Sequence, residues 1–212
     1  MKIAILIHGI FIPKIQMYKL KTKLEKENYQ VFNIGYPSRK GNIESNIKIV
    51  KEQIINLGLD KTEKEVNLIG FSMGGLIIRE LTNQIDFKNL KNIIMIGTPN
   101  KGSILADIFG KYKPIRLLFG PAIDDLKVSE VSKIKNIKNS KKYKIGIIAG
   151  KTKTIASFIF KEENDSKVAV KSTKLDQMND FIILNFTHSL GPINKKVVKQ
   201  VIYFLKHSNF KH

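Results

Sequence analysis

The stretch Val66-Asn67-Leu68-Ile69-Gly70-Phe71-Ser72-Met73-Gly74-Gly75 decides the fold class of this chain. Its first half is a short apolar run typical of a buried strand, and the apolar spacing of residues 76–85 predicts a helix directly after it. The central residues fit the pattern Gly-x-Ser-x-Gly, in which a sharp turn between strand and helix exposes a serine hydroxyl. The glycines are required because side chains at these positions would collide within the turn. The stretch therefore predicts Ser72 as a nucleophile.

Short apolar runs alternate with helical patterns along the chain, which is typical of an α/β fold with a mostly parallel sheet and helices on both faces. The predicted strands are residues 2–7, 30–36, 66–71, 92–96, 144–149 and 181–186. The predicted helices are residues 15–28, 43–57, 74–85 and a C-terminal helix around 197–205. Without repeats or a low-complexity linker, residues 1–212 are predicted to form one domain.

The segment 104–142 departs from this alternation. Its apolar residues are interrupted by Gly110, Pro114, Gly120 and Pro121, a pattern that indicates an insertion of one or two short helices above the sheet. A packing role and a substrate-covering lid both fit such an insertion.

A serine nucleophile needs a base, because a free hydroxyl is a poor nucleophile at neutral pH. The chain has four histidines: His8 follows the first strand, while His207 and His212 belong to the C-terminal tail. His188 directly follows the predicted strand 181–186, and the ends of parallel strands share one edge of a sheet. The sequence therefore predicts His188 as the base.

The base needs a carboxylate that fixes its tautomer and stabilises its charged form. In chain order this acid should lie between the nucleophile and the histidine. Asp165 is the predicted acid, because it follows the strand at 144–149. Asp176 is the main alternative, with Glu163 after it.

Acyl transfer also needs two N–H groups that bind the developing oxyanion. The backbone of Met73, directly after the nucleophile, is the first predicted donor. The second comes from the loop after the first strand, where Gly9 allows a close backbone approach. Ile10 is the predicted second donor, with Phe11 as the alternative.

Composition limits the remaining classes of site. The chain contains no cysteine, which excludes disulfides, thiolate metal sites and cysteine nucleophiles. Neither a signal peptide with a cleavage site nor a run long enough to span a membrane is recognisable, so a soluble, cytoplasmic protein is expected. No metal and no cofactor are predicted.

The net charge of +19 comes almost wholly from lysine, since arginine occurs only at Arg39, Arg79 and Arg116. Scarcity of arginine disfavours nucleic-acid recognition, and no nucleic-acid partner is predicted. Residues 131–160 contain no acidic residue and eight lysines: Lys133, Lys135, Lys138, Lys141, Lys142, Lys144, Lys151 and Lys153. These lysines suggest weak contact with an anionic membrane surface.

The motifs together resemble the α/β-hydrolase superfamily, and within it the small lipases and esterases. The resemblance rests on Ile7-His8-Gly9-Ile10, on the stretch around Ser72, and on Gly97-Thr98-Pro99-Asn100-Lys101-Gly102-Ser103, and it covers nearly the whole chain. It implies a Ser–Asp–His triad, carboxylic ester substrates and no cofactor.

Three alternatives remain beside an esterase or lipase. An acyltransferase or thioesterase would use the same triad and form the same acyl-enzyme, and only the species that attacks the acyl-enzyme would differ. A non-catalytic protein of the same fold, bound to anionic membranes, would not need a reactive Ser72. The segment 146–152 nearly matches a phosphate-binding loop, but Ile145 stands where that motif requires glycine.

Overall fold

The computed structural model describes residues 1–10, 14–138, 140–153 and 162–212. Within these residues six strands form a single, wholly parallel sheet in the order β2-β1-β3-β4-β5-β6. The strands are β1 (Lys2–Ile7), β2 (Tyr29–Ile34), β3 (Val66–Phe71), β4 (Leu90–Ile96), β5 (Lys144–Lys151) and β6 (Asp180–Asn185). The predicted α/β fold is thus confirmed, and all six carboxyl ends lie at one edge.

Helices cover both faces of this sheet. The longer helices are α1 (Tyr18–Lys26), α2 (Ile43–Asn56), α3 (Met73–Gln84) and the C-terminal α8 (Lys195–His207). Alternate residues of β1 face opposite sides, so Ile5 joins the core beneath α2 and α3 whereas Leu6 joins the core beneath α1 and α8. Two apolar layers therefore fix the sheet between the helices.

Asparagine side chains cap the N-termini of two of these helices. The Asn42 side chain accepts the N–H of Ser45 at α2, and the Asn194 side chain accepts the N–H groups of Lys196 and Val197 at α8. Such caps satisfy amide groups that have no partner within the helix.

Near the N-terminus the prediction of one continuous helix over residues 15–28 is wrong, because a 3₁₀ turn at Lys14–Met17 precedes α1.

The insertion between β4 and β5 contains more short elements than predicted. It comprises α4 (Ile104–Phe109), α5 (Lys113–Phe119) and α6 (Val128–Val131), with 3₁₀ turns at Pro121–Leu126 and Ser140–Lys142. It is tied to the body of the protein by the Ser103 N–H, which donates to Leu126 O, and by the Ile43 N–H, which donates to Asp125 Oδ2. One further short helix, α7 (Val170–Thr173), precedes β6.

The segment that nearly matched a phosphate-binding loop forms no loop, because β5 continues through Lys151. Gly146 lies inside this strand, where an added Cβ would come within 2.5 Å of the Phe204 ring. That glycine is therefore explained by helix–sheet packing. In the described residues no helix is long and apolar enough to cross a bilayer.

Candidate active site

Ser72 occupies the turn between β3 and α3 in a backbone conformation that non-glycine residues rarely adopt, with φ 53° and ψ −125°. The neighbouring glycines make this turn possible. A Cβ at Gly74 would lie 2.2 Å from the carbonyl oxygen of Ile7, and one at Gly70 would lie 2.6 Å from the amide nitrogen of Gly75. The local sequence thus presses α3 against the end of β1 and sets the serine on the carboxyl edge.

His188 meets Ser72 across the sheet edge. Its Nε2 atom lies 3.0 Å from Ser72 Oγ, although the two residues are separated by 116 positions in the chain. The ring of Phe71 contacts the imidazole, with ring centroids 5.0 Å apart. Ser72 and His188 are only 4% and 5% exposed, so their contact is sheltered from bulk water.

Asp165 completes the chain of polar contacts. Its Oδ2 lies 2.7 Å from His188 Nδ1, while its Oδ1 accepts the N–H groups of Lys167 and Val168 at 3.0 and 2.8 Å. Because two amides hold one oxygen, the other is fixed toward the imidazole.

The rival acids lie elsewhere. Glu163 is exposed and pairs with Lys151 at 3.1 Å, and Asp176 is exposed on the segment that leads into β6. The structure therefore brings Asp165, and not these two carboxylates, to His188.

The first predicted oxyanion donor directly follows Ser72, and the second follows a glycine that packs against Ser72. Met73 is the first residue of α3, and the first amides of a helix have no partner within it. Ile10 follows Gly9, whose position against Ser72 is so close that an added Cβ would lie 2.9 Å from Ser72 Cβ. The alternative donor, Phe11, lies outside the described residues.

A buried pair supports the loop that carries Ile10. The rings of His8 and Tyr36 stack with centroids 4.1 Å apart, and the Tyr36 hydroxyl donates to the backbone oxygen of His8 at 2.5 Å. Burial raises the pKa of Tyr36, so its hydroxyl stays protonated and able to donate. Nothing in the sequence pattern identified Tyr36, because this contact joins two strand ends 28 residues apart.

Gly97 is a second residue that sequence reasoning did not single out. It follows β4 with φ +55°, and an added Cβ would lie 3.1 Å from Asp165 Oδ2 and 3.3 Å from His188 Nδ1. Its absent side chain therefore leaves room for the Asp–His contact. The motif that begins at Gly97 was visible in the sequence, but this steric role was not.

Arg79 on α3 connects this helix to the chain before and within the insertion. Its guanidinium donates to the backbone oxygens of Asn100 and Ile134, each at 2.9 Å. Burial lowers the pKa of Arg79, and the nearby Glu80 counteracts this effect.

No group of three or more metal-binding side chains occurs among the described residues.

Comparison with known families decides the relationship. The family model described as "Palmitoyl protein thioesterase" matches residues 4–180, a span that includes Ser72 and Asp165. The chain belongs to the palmitoyl protein thioesterase family. It therefore shares the hydrolase fold of esterases, lipases and thioesterases. No curated protein matches this family member significantly in sequence.

Solved structures similar to this family member have the same fold. The mature Bacillus licheniformis lipase BlEst2 has a TM-score of 0.79 at 17% identity, covering 98% of this chain and 91% of that one. Phospholipase PlaB from Legionella pneumophila, in complex with thio-NAD, has a TM-score of 0.66 at 18% identity, covering 82% and 44%. The Exiguobacterium antarcticum esterase EaEST has a TM-score of 0.61 at 14% identity, covering 97% and 92%. The chain thus spans less than half of PlaB, and it spans 51% of the propeptide form of BlEst2.

Proposed function

We propose that this protein is a serine hydrolase that cleaves acyl esters through a Ser72–His188–Asp165 triad. The observation that carries the proposal is the continuous contact from Ser72 Oγ through His188 to Asp165, at 3.0 and 2.7 Å. Serine, imidazole and carboxylate within such distances form the arrangement that activates a hydroxyl for acyl transfer.

In this mechanism His188 Nε2 takes the Ser72 proton as Oγ attacks the acyl carbonyl. Asp165 holds the proton on Nδ1, so that Nε2 is free to act as base, and it stabilises the imidazolium. The negative charge on the carbonyl oxygen is held by the N–H groups of Met73 and Ile10. His188 then protonates the leaving group, and water activated by His188 releases the acid from the acyl-enzyme.

A thioester is the second candidate substrate, and family membership is the observation that favours it. The attack on the carbonyl is the same for an ester and a thioester, and only the departing atom differs. An acyltransferase would accept another hydroxyl in place of water. Neither alternative requires a different set of catalytic residues.

Covalent labelling of Ser72 tests the proposal. A fluorophosphonate probe should label the wild-type protein and fail to label Ser72→Ala, because the probe reacts only with an activated serine. Ser208, which is a C-terminal helix cap remote from His188, supplies the control: Ser208→Ala should be labelled like the wild type. Equal labelling of Ser72→Ala and wild type would refute the assignment of Ser72 as nucleophile. The protein would then be a non-catalytic member of this fold.

A substrate panel then separates esters from thioesters. p-Nitrophenyl esters from acetate to palmitate report ester cleavage, and acyl-CoA thioesters of the same chain lengths report thioester cleavage through the released thiol. The chain contains no cysteine, so the protein adds no background to a thiol reagent. A kcat/KM for thioesters at least tenfold above that for matched esters would assign the protein as a thioesterase, whereas the reverse ratio would assign it as an esterase.

A further inference from the structure

Most of the exposed large apolar side chains lie on segments that leave the edge of the sheet that carries Ser72. Of the twelve that are strongly exposed among the described residues, nine lie on segments that follow β1, β4 or β6 at their carboxyl ends. The nine are Ile15, Tyr18, Ile104, Ile108, Tyr112, Leu117, Val128, Leu190 and Ile193. Clustered exposed apolar residues mark a surface that binds something.

The insertion provides the first part of this surface. Ile104 and Ile108 are one helical turn apart on α4 and are 40% and 39% exposed, so they share one face. Tyr112 is 58% exposed in the turn that joins α4 to α5, and Leu117 on α5 is 82% exposed. We call this part the insertion tip (residues 104–119).

The second part lies beside His188. Leu190 and Ile193 belong to the 3₁₀ turn that begins at His188, and both are exposed. Ile15 and Tyr18 approach this turn from the segment after β1, where the Gln16 side chain donates to Ser189 O at 3.4 Å. We call this part the histidine rim (residues 15–18 and 190–193). Exposed apolar groups thus lie on two parts of the chain that leave the carboxyl edge of the sheet.

Lysines adjoin both parts. Lys111 and Lys113 are exposed on either side of Tyr112, and Lys195 and Lys196 are exposed directly after the histidine rim. Lysines beside aromatic and aliphatic side chains are the combination found on surfaces that rest in the headgroup region of anionic membranes. The net charge of +19 adds a long-range attraction between the protein and an anionic membrane.

The eight lysines of the stretch 131–160 do not form one such patch, because β5 separates them. Lys141 and Lys142 end the 3₁₀ turn directly before β5, at the amino edge, and Lys142 lines a cavity together with Glu63 and Asp86. Lys151 ends the strand, seven residues and about 23 Å beyond its first residue, Lys144. The exposed cations beside the two parts are therefore Lys111 and Lys113 in the insertion tip and Lys195 and Lys196 after the histidine rim.

We propose that the carboxyl edge is a docking surface for an anionic lipid bilayer, with the insertion tip and the histidine rim entering the headgroup region. If Ser72 is the nucleophile, as the proposed function holds, docking places it at the interface, where amphiphilic acyl substrates reside. The docking itself requires no catalysis. It can therefore be tested on a protein that lacks the serine hydroxyl.

The experiment is co-sedimentation of the Ser72→Ala protein, residues 1–212, with vesicles. Vesicles of phosphatidylglycerol and phosphatidylcholine should bind the protein at least tenfold more tightly than vesicles of phosphatidylcholine alone, and 0.5 M salt should weaken this binding because it screens the lysines. Equal binding to both compositions, or none to either, overturns the proposal whatever the result of fluorophosphonate labelling.

Matched variants locate the surface. Leu117→Glu with Leu190→Glu should lower vesicle affinity at least tenfold, whereas Leu57→Glu should not, because Leu57 is 52% exposed at the end of α2 toward the amino edge. Lys111→Glu with Lys113→Glu should act like the first pair, and Lys141→Glu with Lys142→Glu like the control. Equal losses in tip and control variants refute the assignment. Self-association abolished by the leucine pair, without vesicle binding, would instead identify a second copy as the occupant.

Discussion

Asp165 holds His188 at two points. Its Oδ2 lies 2.7 Å from the imidazole Nδ1, and its backbone oxygen accepts the His188 N–H, also at 2.7 Å. One residue therefore sets both the position of the histidine main chain and the orientation of its ring. Losing the carboxylate would leave the main-chain contact in place, so the chemical contribution of Asp165 can be tested with little disturbance to the fold.

Asp165→Asn should lower kcat by about 10³- to 10⁴-fold with little change in KM, because the amide no longer stabilises the imidazolium or fixes the proton on Nδ1. Steady-state hydrolysis of a soluble p-nitrophenyl ester measures this. Asp176→Asn is the control and should retain wild-type activity, since Asp176 is exposed. The reverse pattern would transfer the role of acid to Asp176.

The strained backbone conformation of Ser72 leads us to expect a trade-off between stability and activity at this position. Glycine tolerates φ 53° without strain, so Ser72→Gly should raise the free energy of unfolding by about 1 kcal/mol relative to Ser72→Ala, which keeps the strain. Both variants lose the hydroxyl and should be inactive. Urea unfolding of the pair measures the difference, and a less stable glycine variant would show that the turn stores no strain.

Gly97→Ala should cost more activity than its effect on stability explains. Alanine at φ +55° is strained by about 1 kcal/mol, and its Cβ would also push on Asp165 Oδ2. We expect kcat to fall at least tenfold. Gly58→Ala is the matched control, because Gly58 has φ +64° and nothing within 4 Å of an added Cβ. It should show a similar loss of stability with unchanged kcat, and a parallel loss of activity in both variants would refute the steric role of Gly97.

Tyr36→Phe tests the support of the loop that carries Ile10. The variant keeps the ring that stacks on His8 but removes the hydroxyl that donates to His8 O. We expect a loss of about 1 kcal/mol in stability and a roughly tenfold lower kcat at constant KM, since an oxyanion donor acts in the transition state. Tyr203→Phe on α8 should change neither kcat nor KM. A raised KM with normal kcat would place Tyr36 in ground-state binding instead.

Acid should weaken the anchoring of the C-terminal tail. Partial burial works to raise the pKa of Asp180, but hydrogen bonds from the Phe210 amide, the His212 ring and the Phe181 amide outweigh it and hold this pKa below its usual range. A lowered pKa in the folded state stabilises the protein above the unfolded-state pKa of about 3.9, and this contribution fades as pH falls further.

The stability difference between wild type and Asp180→Asn should therefore be constant from pH 5.5 to about 4.5 and shrink toward pH 3. Urea unfolding at each pH measures it. A difference for Asp180→Asn that grows below pH 4 would mean that the hydrogen bonds do not favour the charged carboxylate.

Much of the framework was accessible from the sequence because parallel strands bury both faces and therefore read as continuous apolar runs. β3 was predicted with its observed bounds, and the glycines around Ser72 located the turn. The predicted helix 15–28 failed at its start, since a 3₁₀ turn there preserves apolar spacing and no capping residue distinguishes it from an α-helix.

The choice of acid shows where sequence reasoning ends. Asp165 and Asp176 both lie between Ser72 and His188, and spacing alone favours neither strongly. What distinguishes them is the turn at Asp165–Val168, in which Ser166 has φ +84° and two amides bind one carboxylate oxygen. Such a turn depends on backbone geometry, and the contact of Gly97 with it depends on tertiary packing, so neither could be seen in the sequence.

Leu57 offers a practical handle on this molecule. Its side chain is exposed at the far end of α2, and the chain has no native thiol, so Leu57→Cys would provide a unique attachment point. With a fluorophore or a solid support attached there, the carboxyl edge of the sheet, which carries Ser72, would remain accessible. Orientation on a surface could then be set by chemistry at a position that takes no part in catalysis.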